Sequence, residues 1–140
     1  MKILIAADGS IYTERMLADL AMQDVWLDRA HRYTVVHCVE PLPPRAGAYL
    51  DADVRRLYYA SESERVFGTI RTFSKHHGFD VNYVSQIGSP AEVIATMAKG
   101  DKFDLIVMGS HGHGALAGLL MGSVATKVLA LSKTPVLLVR

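Results

Sequence analysis

Five short apolar runs, four of them almost unbroken by polar residues, alternate with segments of helical character, and this alternation leaves the chain few folds. The runs cover residues 2–7, 33–39, 81–86, 104–108 and 135–139. Continuous Ile, Leu and Val, rather than alternation with polar residues, is what strands buried on both faces of a parallel sheet require. The third run, Val81-Asn82-Tyr83-Val84-Ser85-Gln86, is more mixed and suits a sheet edge.

Helical segments fill the gaps. Ser10 is placed to cap a helix running to about Arg29, with Leu17, Leu20 and Ala21 at core-facing spacing. A second helix runs from Asp51 to about His77, where Gly78 can end it. Ser61, Glu62 and Ser63 interrupt its apolar stripe, which signals a break or a partner-facing patch. Ser89-Pro90-Ala91-Glu92 is a helix start, with a Ser cap, Pro at the first helical position and Glu three residues after the cap; Gly100 closes that helix. The last helix spans Ser123 to about Leu131, before Pro135 imposes extended backbone. The order βαβαβαβαβ implies right-handed crossovers, a parallel sheet with helices on both faces, and a ligand crevice at the C-terminal strand ends. Residues 40–49, with Pro41, Pro43 and Pro44, form the one long irregular connection, at a strand end where loops often border a ligand.

The 140 residues suit one domain, 1–140, without a linker, and a chain that is 50% hydrophobic with a net charge of +1 is expected to be compact and not to bind nucleic acid. The single cysteine, Cys38, excludes an internal disulfide and a thiolate zinc cluster and is expected to be a buried structural residue. Met1 leads into an apolar run with neither the length nor the flanks of a secretory signal, and no stretch approaches a membrane span, so a cytoplasmic location is expected.

Five glycines, at 109, 112, 114, 118 and 122, fall between the fourth strand and the last helix. Glycine accepts positive φ and lets backbone N–H groups approach a ligand, and the first turn of a helix offers unsatisfied donors to an anion. A phosphate chain is the anion this suits. No Asp or Glu follows Asp104, so the sequence shows nothing nearby to repel a polyphosphate. The simpler reading, a flexible loop ending in a helix cap, accounts for glycine content but not for its position at a strand's C-terminal end inside a βαβ unit.

Gly109, two residues, Gly112, nine residues, then Gly122-Ser123 resembles the Gly-x-x-Gly-(x)9-Gly-[Ser/Thr] pattern of ATP-binding universal stress proteins. Residues 2–10, ending in Asp8-Gly9-Ser10, resemble that family's first strand, and residues 135–140 its last. The resemblance implies a flavodoxin-like five-stranded parallel sheet of order 3-2-1-4-5, with helices on both faces, and a stress-response protein that holds ATP, with Mg²⁺ on its phosphates, as a regulatory ligand. It implies that Asp8 faces the adenine and that the backbone of Val39 hydrogen-bonds the base. Gly109 and Gly112 would run under the ribose and phosphates, while Gly122, Ser123 and Val124 would offer N–H and hydroxyl groups to the terminal phosphates. For Asp8 the alternative is capping the first helix or bonding loop amides. The resemblance also implies a homodimer paired through the C-terminal edge strand.

Other motifs do not hold. No glycine precedes Lys-Ser or Lys-Thr at Walker spacing, and Gly112-His113-Gly114-Ala115-Leu116-Ala117 lacks the acidic residue about 20 positions on that a dinucleotide fingerprint needs. The His111-Gly112-His113-Gly114 segment superficially resembles the tetrad of adenylyl-transferring enzymes, but that tetrad follows the first strand. His111 and His113 find no further zinc ligands nearby and read as exposed loop residues, with His111 the candidate to approach a phosphate. His37 reads as a hydrogen-bonded core histidine. No nucleophile elbow occurs, so the sequence points to holding a nucleotide rather than to a reaction. Two rival readings remain: a slow ATP-hydrolysing enzyme, for which only Asp8 could supply the carboxylate, and a dimeric interaction module without bound ATP.

Overall fold

The computed structural model describes residues 1–22, 28, 30–113 and 120–140. Strands β1 (Lys2–Ala6), β2 (Arg32–Val39), β3 (Val81–Ile87), β4 (Leu105–Gly109) and β5 (Val136–Val139) form one parallel sheet in the order β3-β2-β1-β4-β5. Helices α1 (Ile11–Ala21), α2 (Pro44–Ala48), α3 (Ala52–His77), α4 (Pro90–Gly100) and α5 (Ser123–Leu131) connect or precede the strands.

The pleat of β1 explains the layering. Ile3 and Ile5 face one side of the sheet and pack with Met16 and Leu17 of α1 and Ile70 of α3, while Leu4 faces the other side with Ile94 of α4 and Val128 of α5. Leu4 and Val128 are fully buried, as is Ile106 of β4. Burying such side chains stabilises the fold by about 2 kcal/mol each, and this holds the strand ends that carry the loops in fixed relation. The edge strands β3 and β5 are only partly buried, as the mixed third run anticipates for β3.

Several local expectations change. Helix α1 ends at Ala21 with Met22 as its C-cap, short of Arg29, and residues 23–27 and 29 lie outside the described residues. Ser10 and Ser89 stand at N-cap positions without a side-chain cap bond; their carbonyls accept the first helical amides instead. The connection after β2 contains α2, with Pro44 in its first turn, where a fixed φ favours a helix start. Helix α3 is not broken at Ser61–Ser63: the Ser63 hydroxyl bonds the Tyr59 carbonyl at 3.0 Å and the Ser85 hydroxyl of β3 at 2.5 Å, so a buried polar group is satisfied without interrupting the helix. Gly78 ends α3 in the left-handed region, at φ 70°.

Candidate functional site

Strand order reverses beside β1, which pairs with β2 on one side and β4 on the other, so the chain departs in opposite directions from the C-terminal ends of β1 and β4. A crevice opens where connections diverge in this way. It is a cavity of about 540 Å³, and all eight sequence-predicted site residues line it: Asp8, Val39, Gly109, His111, Gly112, Gly122, Ser123 and Val124. Gly114 and Gly118 of the same loop lie outside the described residues.

Asp8 is a structural hub. Past β1 the chain turns through Gly9, at φ 74°, where a Cβ would lie 2.8 Å from Val66 Cγ2 of α3. The Asp8 carboxylate accepts hydrogen bonds from the Ser10 amide at 2.9 Å and the Thr13 hydroxyl at 2.9 Å through Oδ1, and from the His113 amide at 3.2 Å through Oδ2. His113 Nε2 lies 2.8 Å from the Asp8 carbonyl oxygen, a contact in which the ring nitrogen must carry the proton. Burial raises the Asp8 carboxyl, but the hydrogen bonds from Ser10 and Thr13 and the charge of His113 outweigh it and hold the group below its ordinary value. Asp8 thus bonds both the first turn and a loop amide.

The glycines serve close approach rather than left-handed backbone, since none at 109, 112 or 122 has a positive φ. A Cβ on Gly109 would meet the His111 carbonyl at 3.0 Å and Tyr12 Cβ at 3.1 Å. One on Gly112 would collide with Asp8 Oδ2, and one on Gly122 would lie 3.2 Å from His111 Cα and 3.3 Å from the Ser110 carbonyl. The Gly122 amide donates to that same Ser110 carbonyl at 2.7 Å. Segment 110–112 is therefore clamped between Asp8 and the start of α5, and Ser123 and Val124, whose first-turn amides an α-helix cannot satisfy internally, line the cavity. The His111 ring packs beside Tyr12, with centroids 5.2 Å apart, and its Nδ1 lies 3.0 Å from the Ser110 hydroxyl.

At the β2 end, the Val39 carbonyl accepts from the Gly88 amide at 3.1 Å and so belongs to the β2–β3 ladder. Backbone groups alternate sides along a strand. The Val36 carbonyl accepts the Ala7 amide on the β1 side, and two residues further on the Cys38 backbone faces that same side, beyond the end of β1. The Cys38 side chain is half-buried against the α4–α5 layer, and burial pushes its thiol up to about 11. His37 is a core histidine, its Nδ1 2.8 Å from the Ala7 carbonyl.

Sequence reasoning missed a third wall. Tyr58, Glu62 and Arg65 of α3 line the cavity with Glu40, so three carboxylates, Asp8, Glu40 and Glu62, border it against one Lys or Arg side chain, Arg65, among the described residues. The absence of acidic residues after Asp104 therefore does not describe the site, because the topology brings acids from β1, β2 and α3 to it. Arg65 Nη2 pairs with Glu62 at 3.1 Å. The expectation that residues 40–49 border a ligand pointed toward Glu40, and on α3 the signals were the polar interruption at Glu62 and its spacing to Arg65.

A parallel five-stranded sheet with a cavity at the reversal point, lined by Gly109, Gly112, Gly122 and the start of α5, defines an open α/β domain of the flavodoxin-like class. The family described as the universal stress protein family matches residues 1–140, and the chain belongs to it. A universal stress protein of Thermus aquaticus is 39% identical over 140 residues, covering 99% of this chain and 97% of that protein. The solved structure of MJ0577, from Methanocaldococcus jannaschii, superposes with a TM-score of 0.78 at 27% identity, covering 99% of this chain and 94% of the other. A universal stress protein in complex with cAMP superposes with a TM-score of 0.70 at 23% identity, covering 100% of this chain and 97% of the other. No helix among the described residues is long and apolar enough to cross a membrane, and those residues hold no group of three or more His, Cys, Asp or Glu side chains suited to a metal ion.

Proposed function

We propose that this universal stress protein is a cytoplasmic regulatory protein that binds ATP in the cavity at the ends of β1, β2 and β4, with Mg²⁺ on the phosphates. The observation that carries this reading is the cavity's polarity. Pro90 and Ile94 of α4 give it an apolar wall, and the first turn of α5, which packs beside α4, lines it without an acidic residue. A flat base suits the first and an anion the second. Universal stress proteins of the same fold hold cAMP, AMP or dAMP, which supports an adenine nucleotide here.

Within this reading the Cys38 backbone is a better partner for the base than that of Val39, whose carbonyl already serves Gly88. Ser123 and Val124 offer amides to the phosphates, and His111 lies on the same wall. The three bordering carboxylates disfavour a bare polyphosphate, so a divalent cation is expected to strengthen binding by neutralising phosphate charge. Hydrolysis is disfavoured, because Asp8 is committed to the turn and loop and is not poised as a base.

Mass spectrometry of ligand released from freshly purified protein should find ATP or another adenine nucleotide, and calorimetry should show that Mg²⁺ tightens ATP. Protein that carries no nucleotide and takes up none with Mg²⁺ would leave the interaction module as the better account.

Pairing through β5 is part of the same proposal. Pro135 and Val139 carbonyls accept from Ile106 of β4 and from Ser110 just after it, so alternation turns the backbone groups of Val136 and Leu138 to the open edge. Leu138→Pro removes an outward N–H without touching the β4 ladder. It is expected to reduce the sedimenting mass by one dimerisation step; an unchanged mass would remove β5 from the interface.

A further inference from the structure

Of the polar residues that interrupt the apolar stripe of α3, Ser63 turns inward and Glu62 turns to the cavity. At about 100° per residue, Tyr58, Glu62 and Arg65 fall within about 60° of one another on one flank of the helix, beside the buried face that carries Ser63, Val66 and Ile70. All three residues of this flank line the cavity. The helix is anchored at the same level from two directions. Ser63 bonds Ser85 of β3, and Val66 packs against the turn after Asp8, where a Cβ on Gly9 would lie 2.8 Å from Val66 Cγ2. The backbone beneath Glu62 and Arg65 is therefore held against the strand ends, while the two side chains reach solvent, Arg65 at 67% and Glu62 at 36% exposure.

Arg65 Nη2 donates to Glu62 Oε2 at 3.1 Å. So exposed a pair contributes little, because water screens it and ordering two long side chains opposes it. A guanidinium bonds a phosphate more strongly, through two parallel N–H groups. The charges of the cavity favour that exchange. Arg65 is the one Lys or Arg side chain bordering it among the described residues, against the carboxylates of Asp8, Glu40 and Glu62. His111 and His113 also line it, but each already has a ring nitrogen engaged, His111 with the Ser110 hydroxyl and His113 with the Asp8 carbonyl.

We infer that Arg65 makes the cavity select nucleotides by phosphate charge: it leaves Glu62 and pairs with the bound phosphates, with Glu62 as the anion they displace. The inference rests on the nucleotide reading of this cavity and adds to it a residue that discriminates ATP from less charged adenine compounds. Ser123 and Val124 meet a phosphate with backbone amides of fixed position, whereas Arg65 meets it with a full charge that has another partner when the ligand is absent.

The test is calorimetric affinity of the full chain for ATP, AMP and adenosine at one Mg²⁺ concentration. Arg65→Gln is expected to weaken ATP on the order of tenfold and AMP less, and to leave adenosine within about twofold, because the lost hydrogen bonds are to a charged group. Arg65→Lys keeps a charge without the planar fork and should recover part of the loss. Glu62→Gln removes the competing carboxylate and should tighten ATP roughly threefold. Losses in Arg65→Gln that are equal for adenosine and ATP would make Arg65 a support of the wall and overturn the inference. An ATP affinity unchanged in Arg65→Gln, or weakened in Glu62→Gln, overturns it too, with the nucleotide reading left standing. Wild-type protein that binds neither ATP nor adenosine removes that reading, and the role of Arg65 with it.

Discussion

Gly122→Val is expected to abolish ATP binding in a protein that still folds. The reason is proximity, not backbone strain: Gly122 has φ −72° and ψ 160°, a conformation open to any residue. A Cβ at this position lies 3.2 Å from His111 Cα and 3.3 Å from the Ser110 carbonyl, both backbone atoms that cannot rotate aside. Valine's two further methyl groups must push segment 110–112 away from the start of α5 and break the Gly122 to Ser110 hydrogen bond. The Ser123 and Val124 amides then lose their alignment with the rest of the cavity. Hydrogen bonds to a charged group contribute ~1.5 to 3 kcal/mol each, so losing two lowers affinity on the order of 100-fold or more. The stability cost should be smaller, ~1 to 3 kcal/mol for local overpacking, because the core strands are untouched. Ser123→Ala removes a hydroxyl and leaves the backbone donors, so it should do much less. The measurement is calorimetric ATP affinity against the urea midpoint of both variants. ATP affinity that persists in a folded Gly122→Val protein would put the phosphate site elsewhere.

The sheet was legible because burial on both faces leaves a simple trace in sequence. Ile3, Leu4 and Ile5 form an unbroken apolar run since consecutive side chains enter opposite layers, and both layers are packed. Strand order has no such trace, and it came from resemblance to a family with that order, which the observed sheet matches. The polar interruption in α3 was visible, but periodicity alone could not distinguish a broken helix from a continuous one that buries a bonded serine. The Ser63 to Ser85 hydrogen bond, between residues on different elements, decides that point. The cavity was half legible. Its glycine wall is continuous in sequence, whereas Glu40 stands at the end of β2 and Glu62 and Arg65 are brought to the cavity by α3, which packs on β2. Gly112 was read as making room for a phosphate, yet the group nearest its missing Cβ is the Asp8 carboxylate, 104 positions away.

Asp8→Ala should therefore act on stability and on ligand affinity together. Removing the carboxylate leaves the Ser10 amide, the Thr13 hydroxyl and the His113 amide without their acceptor, which is expected to cost about 2 kcal/mol in urea denaturation. The loss should depend on pH in a defined direction. The native Asp8 carboxyl sits below its ordinary value of 3.8, so its ionised form stabilises the fold fully above that value, and the contribution disappears as pH falls through the lowered native one. The stability gap between wild type and Asp8→Ala is expected to be constant near neutrality and to narrow on acidification below 3.8. A gap that widens in acid would mean that the carboxyl is raised by burial and not held ionised by its partners. Affinity for ATP should fall as well, because His113 and Gly112 are no longer held against the end of β1. The Gly112 contact separates this indirect effect from direct contact with the base. Gly112→Ala alone places a Cβ against Asp8 Oδ2 and should weaken the protein, whereas in the Asp8→Ala background the same change meets no carboxylate and should cost almost nothing further. Additive losses in that double-mutant cycle would show that Gly112 answers to something other than Asp8.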